Sequence, residues 1–217
     1  MKKYELLEND TVELYGKTLY RIKALRSFGR IKVGDLGGYI AREDNLSHDG
    51  NCWVYSGAKV FGNAKVKDNA VVRDNAVARS YALVYGNASV YEDADVSERA
   101  HVLDNAEVHG KAKVYSDAKV YGNAEVRNHA KVHGTAEVHD NARVYGNANV
   151  YCKARVYDNA VVSGNVEVYG AANVHGSSFL YGSALVHGNA NIHGTANVCG
   201  DALVSGNANI YGDAVVS

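Results

Sequence analysis

The chain reads as all-β, a parallel β-solenoid preceded by a small β-rich N-terminal cap, on three observations. First, an aliphatic residue recurs every six positions from Val54 to Val216, at 28 positions without an insertion or deletion; 24 are Val, two Ile, one Leu and one Ala. Second, a column two residues earlier, Cys52 to Ala214, is Ala at 25 of 28 positions, with Cys52, Val166 and Ser178 as exceptions. Third, the 217 residues include no proline, and 16 tyrosines stand against three phenylalanines and one methionine. A period of six with a turn in every unit is too long for a helical repeat and too short for a hairpin meander. A chain without proline has almost no irregular connections.

Residues 1–47 lack the repeat and form the expected cap over an otherwise open sheet edge. Within them Thr11 to Tyr15 and Leu19 to Leu25 are strand-like, with Tyr15-Gly16-Lys17-Thr18 as the turn. Gly34 to Tyr39 reads as a loop leading into the first coil. The solenoid is expected over 48–217, since Gly50-Asn51-Cys52-Trp53-Val54 already matches the consensus G-N-A-x-V. In the full unit N-A-x-V-Y-G the side chains alternate: Ala and Val share the inner face, x and Tyr the outer one. Gly and Asn then turn the chain, because both tolerate positive φ. The last unit, Ile210 to Ser217, is still in register, so an exposed coil or the prism faces should make the protein a homo-oligomer.

Composition narrows the partners. A net charge of −1 argues against nucleic acid and membrane. Lys17, Arg21, Lys23, Arg26, Arg30 and Lys32 form a run without acids, read as a solvated strand face. The N-terminus has no apolar run after its lysines, no window approaches a membrane span, and three cysteines lack any C-x-x-C spacing. A reducing cytoplasm fits this pattern.

Units such as Val144-Tyr145-Gly146-Asn147-Ala148-Asn149 resemble the hexapeptide-repeat superfamily. The resemblance implies a left-handed parallel β-helix of about nine triangular coils, each of 18 residues, although the usual crossover rule favours the right hand. At about 4.8 Å per coil the prism would be roughly 43 Å long. Lys32 to Ile40 and Asn45 to Val54, with Gly-Asp-Leu-Gly-Gly-Tyr-Ile and Asn-Leu-Ser-His-Asp-Gly-Asn-Cys-Trp-Val-Tyr, look like the entry segment of acetyltransferase-like members from bacteria and phage. Such a relation implies acyl transfer from acetyl-coenzyme A, with a His general base in a cleft between subunits. His133, His175, His187 and His193 are the catalytic candidates. A zinc site of the γ-carbonic-anhydrase kind would require H-x-x-x-x-H, which is absent, so no metal is expected.

The column after each Val holds 11 Tyr, six His and Phe61, all outward. Eighteen-residue coils stack these into ladders, the richest containing Tyr121, His139, Tyr157, His175, His193 and Tyr211. His175 and His193 should lie about 5 Å apart. Asn173, Asn191 and Asn209 form a second ladder beside them. The preferred reading is a non-catalytic structural or interaction solenoid, without a cofactor, that presents these Tyr/His/Asn ladders for self-assembly or partner binding. The alternative is the acyltransferase, because uninterrupted faces leave no loop to build a thioester pocket.

Overall fold

A computed structural model describes residues 2–217. Strand β1, Tyr4–Leu14, and strand β2, Lys17–Ala24, form an antiparallel hairpin. Tyr15 and Gly16 make its two-residue turn, both at positive φ (49° and 68°), which matches the twist of the flanking strands. The first strand starts earlier than Thr11, because a register shift between Leu7 and Thr11 lets the chain bend and continue pairing back to Tyr4.

Strand β3, Leu36–Ile40, occupies the stretch that reads as a loop. It pairs antiparallel with β2 and, through Tyr39 and Ile40, parallel with Lys59 and Val60. Parallel stacking therefore begins before His48. The two glycines are there for close approach. A Cβ at Gly38 would lie 2.4 Å from the Tyr55 carbonyl oxygen, and one at Gly37 would lie 2.5 Å from Ile22 Cγ1.

Beyond β3, 28 two-residue strands from Trp53–Val54 to Val215–Val216 fall into three parallel sheets, one per face. Their register repeats every 18 residues, as in Lys131↔Asn149 and Val132↔Val150. Among the described residues there is no α-helix, only a 3-10 turn at Glu43–Asn45. The Val and Ala columns are buried until the last coil. Each x position, Tyr position and Asn position donates its N–H to the next coil, for example His133 to Val150, Thr135 to Cys152 and Glu137 to Ala154 at 2.7 to 3.0 Å. The Ala N–H closes the turn on the Tyr-column carbonyl, as in Ala130 to Arg127 at 3.2 Å. Proline at an x, Tyr or Asn position would delete a bond between coils, and at an Ala position the bond that closes the turn.

The turn assigns Gly and Asn different tasks. From Gly62 onward only the Gly column takes positive φ. The Asn column keeps ordinary φ and stacks its amides: Asn51, Asn69, Asn87, Asn105, Asn123 and Asn141 each donate Nδ2 to the next Oδ1 at 3.0 to 3.2 Å, the last accepted by Asn159. Where a carboxylate stands in the Gly column, it offsets the strain of the left-handed backbone. Asp68, Asp74, Glu92, Asp104, Asp140 and Asp158 each accept the N–H of the same position one coil on, at 2.7 to 3.4 Å.

The N-terminal segment closes the first coil with rings. Trp53 meets Phe28 and Tyr4 edge-on, with centroids 5.4 and 6.2 Å apart, and Tyr4 stacks on His48 at 4.5 Å. Asn45 replaces backbone bonds where this coil is irregular: its Oδ1 accepts from Ala41 and Arg42, and its Nδ2 donates to Gly62 and Ala64. Cys52 departs from the Ala column because Lys3, fully buried, donates to its carbonyl oxygen at 2.9 Å and its Sγ at 3.2 Å. Burial lowers the Lys3 pKa. Within the basic run, Arg21 meets Asp10 and Lys23 meets Glu5 across the hairpin.

Ser178 is the other polar exception in the Ala column, fully buried with an unpartnered Oγ. Replacing it by Ala removes an unsatisfied hydroxyl and restores the consensus. Ser178→Ala is expected to raise stability by about 1 kcal/mol, read by thermal and chemical denaturation.

Candidate functional site

The outward rings occupy two long stacks. On one face Tyr121, His139, Tyr157, His175, His193 and Tyr211 follow one another with centroid separations of 4.6, 5.0, 4.6, 5.1 and 5.6 Å. On another, Tyr115, His133, Tyr151, Tyr169 and His187 stack at 4.6, 5.1, 4.9 and 4.8 Å. Interplanar angles along both stacks are 16° or less. The spacing follows from the backbone, since one coil rises by one strand spacing. Each interior ring has both faces covered by its neighbours, so only ring edges meet solvent. A base or sugar cannot enter such a stack without breaking it, which removes the stacking mode of single-strand binding from these interior rings.

The edges are tied down by the x residue of the following coil. Tyr91 Oη donates to Glu107 at 2.8 Å and Tyr151 Oη to Glu167 at 3.0 Å. His133, His175 and His193 place Nε2 at 3.1, 3.2 and 3.1 Å from Oδ1 of Asn149, Asn191 and Asn209. Burial and the bond to Glu167 push the Tyr151 phenol up to about 12. Asn191 also donates to Asn209 at 3.1 Å, whereas Asn173 turns its amide to the Ala171 carbonyl.

The four candidate histidines are thus divided between two faces, His133 and His187 on one and His175 and His193 on the other. Only His175 and His193 touch, with imidazoles 5.1 Å apart. The other nitrogen of His175, Nδ1, lies 3.5 Å from Asp158. Five depressions along the surface are open to solvent, and His133, His175, His187 and His193 line none of these five. Among the described residues, no three His, Cys, Asp or Glu side chains converge as a metal cage. Sequence reasoning missed the amide ladder from Asn51 to Asn159 and the Glu107, Asn149 and Glu167 partners, although an 18-residue spacing carries both.

The coils and their ladders define a parallel β-solenoid. Residues 154–170, just short of one coil, match the family model described as YdcK Beta solenoid repeat. No curated protein matches the chain. Among the described residues no helix is long and apolar enough to cross a membrane.

Burial lowers the pKa of His133, against the raising effect of its Asn149 bond, and also that of His101. The folded chain therefore binds these protons less readily than the unfolded chain. The stability they contribute is present above the ordinary imidazole value of about 6.5 and is lost as pH falls below it. Urea denaturation across this window is expected to show falling stability toward acid, and His133→Gln is expected to flatten part of the slope.

Proposed function

We propose that the protein is a non-catalytic β-solenoid rod whose Tyr/His/Asn face, Tyr121 to Tyr211 with Asn173, Asn191 and Asn209, pairs with another copy of itself. The observation that carries this reading is the uniform spacing of edge groups along the rod, with ring centroids about 5 Å apart. A partner can meet every coil in the same way only if it shares that axial repeat, and a second copy does. At the last coil of this face Tyr211 is exposed and Ile210 half-buried. His175 and His193, already hydrogen-bonded to Asn191 and Asn209, lose little side-chain freedom on contact, which favours association.

Acyl transfer from acetyl-coenzyme A with a histidine base is the competing reading, suggested by the hexapeptide resemblance. Less supports it: the uninterrupted coils supply no loop to enclose a thioester beside His133, His175, His187 or His193.

Analytical ultracentrifugation is expected to give a mass that is a multiple of 23.3 kDa. Asn173→Lys together with Asn209→Lys substitutes no ring, puts like charge on the face, and is expected to yield monomer. A wild-type monomer, or an oligomer indifferent to this pair and to Tyr121→Ser with Tyr157→Ser, would sink the proposal. Saturable acetyl-coenzyme A binding abolished by His175→Ala or His193→Ala would replace it with the acyltransferase.

A further inference from the structure

Along one edge of the rod the outward ring column and the Gly-Asn corner lapse together. Between Arg79 and Asp117 the Tyr column holds Arg79 and then Ser97, and three successive corners read Ser80-Tyr81, Glu98-Arg99 and Ser116-Asp117 in place of Gly-Asn. Two depressions flank this edge and share Glu98. One, of about 250 Å3, is lined by Arg79, Asp95, Ser97, Glu98, Lys113, Tyr115 and Lys131. The other lies over the corner, with Tyr81 at its rim.

Three features in the smaller depression are unmet by the protein itself. The first is a ring face without a stacked partner. Tyr115 stacks on His133 on one side and, on the other, has the small, buried Ser97 in place of a ring. Elsewhere a ring that follows an arginine in its column is covered by it: Tyr91 by the Arg73 guanidinium at 3.8 Å, and Tyr145 by that of Arg127 at 4.5 Å.

The second is a pair of ammonium groups. Lys113 and Lys131 stand in register on adjacent coils, a like-charge arrangement that disfavours the sheet. Among the described residues neither has a carboxylate within salt-bridge distance, and the nearest in-register acid, Asp95, is held by Arg79 through contacts of 3.0 to 3.3 Å. The comparable acidic pair, Glu107 and Glu125, is served by Tyr91, His109 and Arg127.

The third is Glu98. It sits at φ 58°, and of the seven carboxylates in this strained conformation it is the one whose side chain does not cap the next coil.

We infer that this notch is a binding site for a sugar acid, a single uronate ring laid on the unstacked face of Tyr115. The ring's polarised C–H groups meet the negative face of the phenol. The ligand carboxylate lies between Lys113 and Lys131, relieving their repulsion by charge-assisted hydrogen bonds. Glu98, an acceptor only when ionised, takes sugar hydroxyl donors. The volume is below the roughly 300 to 1,000 Å3 of drug-sized pockets, so it suits one ring. Neither self-association nor its absence bears on this site, which lies on a different stack from Asn173 and Asn209.

Calorimetric titration with glucuronate, short oligogalacturonate, glucose and inorganic phosphate tests the assignment. Glucuronate is expected to bind with a dissociation constant on the order of 1 mM, with glucose and phosphate at least about tenfold weaker. Tighter binding of the oligomer would identify a polysaccharide as the source, and equal binding the free sugar acid. Ser97→Tyr fills the notch while completing the ring stack, so it is expected to abolish binding with an unchanged or higher melting temperature. Lys113→Ala with Lys131→Ala is expected to weaken glucuronate at least about tenfold. Absence of saturable glucuronate binding, glucose or phosphate binding as tightly as glucuronate, or glucuronate binding that survives Ser97→Tyr would each overturn the inference.

Discussion

Every part of this molecule answers to the hydrogen-bond ladder that joins each coil to the next. Because Glu137 donates to Ala154 and His139 to Val156, and so on along the rod, any residue must tolerate having the residue 18 positions away as its immediate neighbour. The two-residue strands are far too short to persist alone, and they exist through their neighbours above and below. The same constraint excludes proline, aligns the aromatic rings face to face, and brings like side chains together whether or not they attract. Stacked asparagines and rings gain from that enforced proximity. Stacked lysines do not. The outward sequence can therefore be read as a record of which neighbours the ladder tolerates.

Much of this was legible in the sequence, for a definite reason. The Val and Ala columns are inward, and their period is the fold; nothing in the solenoid from Val54 on moves them out of register. The face carrying Tyr121 to Tyr211 follows from the same arithmetic, down to the contact between His175 and His193. What escaped was local. Gly37 and Gly38 look like loop residues because glycine usually signals freedom, whereas here they permit β3 to lie against Val54 and Ala58. Asparagine looks like a turn residue because it tolerates positive φ, yet the Gly column alone takes that conformation and the amides do a different job. Cys52 is an irregularity in the Ala column, and its reason is Lys3, distant in sequence and buried against it. Such contacts depend on the first 50 residues, where no period guides the reading.

The functional features divide along the same line. Regular ladders produce uniform faces, in which Tyr and His rings stack alike from coil to coil. Such faces suit a partner that repeats as they do. Singular chemistry requires a lapse in the pattern, and the lapse at Ser97 and Glu98 is the place where ring face, ammonium groups and carboxylate are simultaneously unsatisfied. A sequence pattern reveals repetition readily, and reveals an exception only once the geometry shows what the missing ring leaves uncovered.

The invariant coil also makes length a free variable. Removing 18 residues from the regular part would rejoin Val to Val, Asn to Asn and ring to ring, leaving each interface of the kind already present and the rod shorter by about 4.8 Å. Six or twelve residues would instead rotate every later column onto a different face. The molecule is thus a ruler graduated in single coils, whose markings are the side chains and whose extent can change without redesign of any contact.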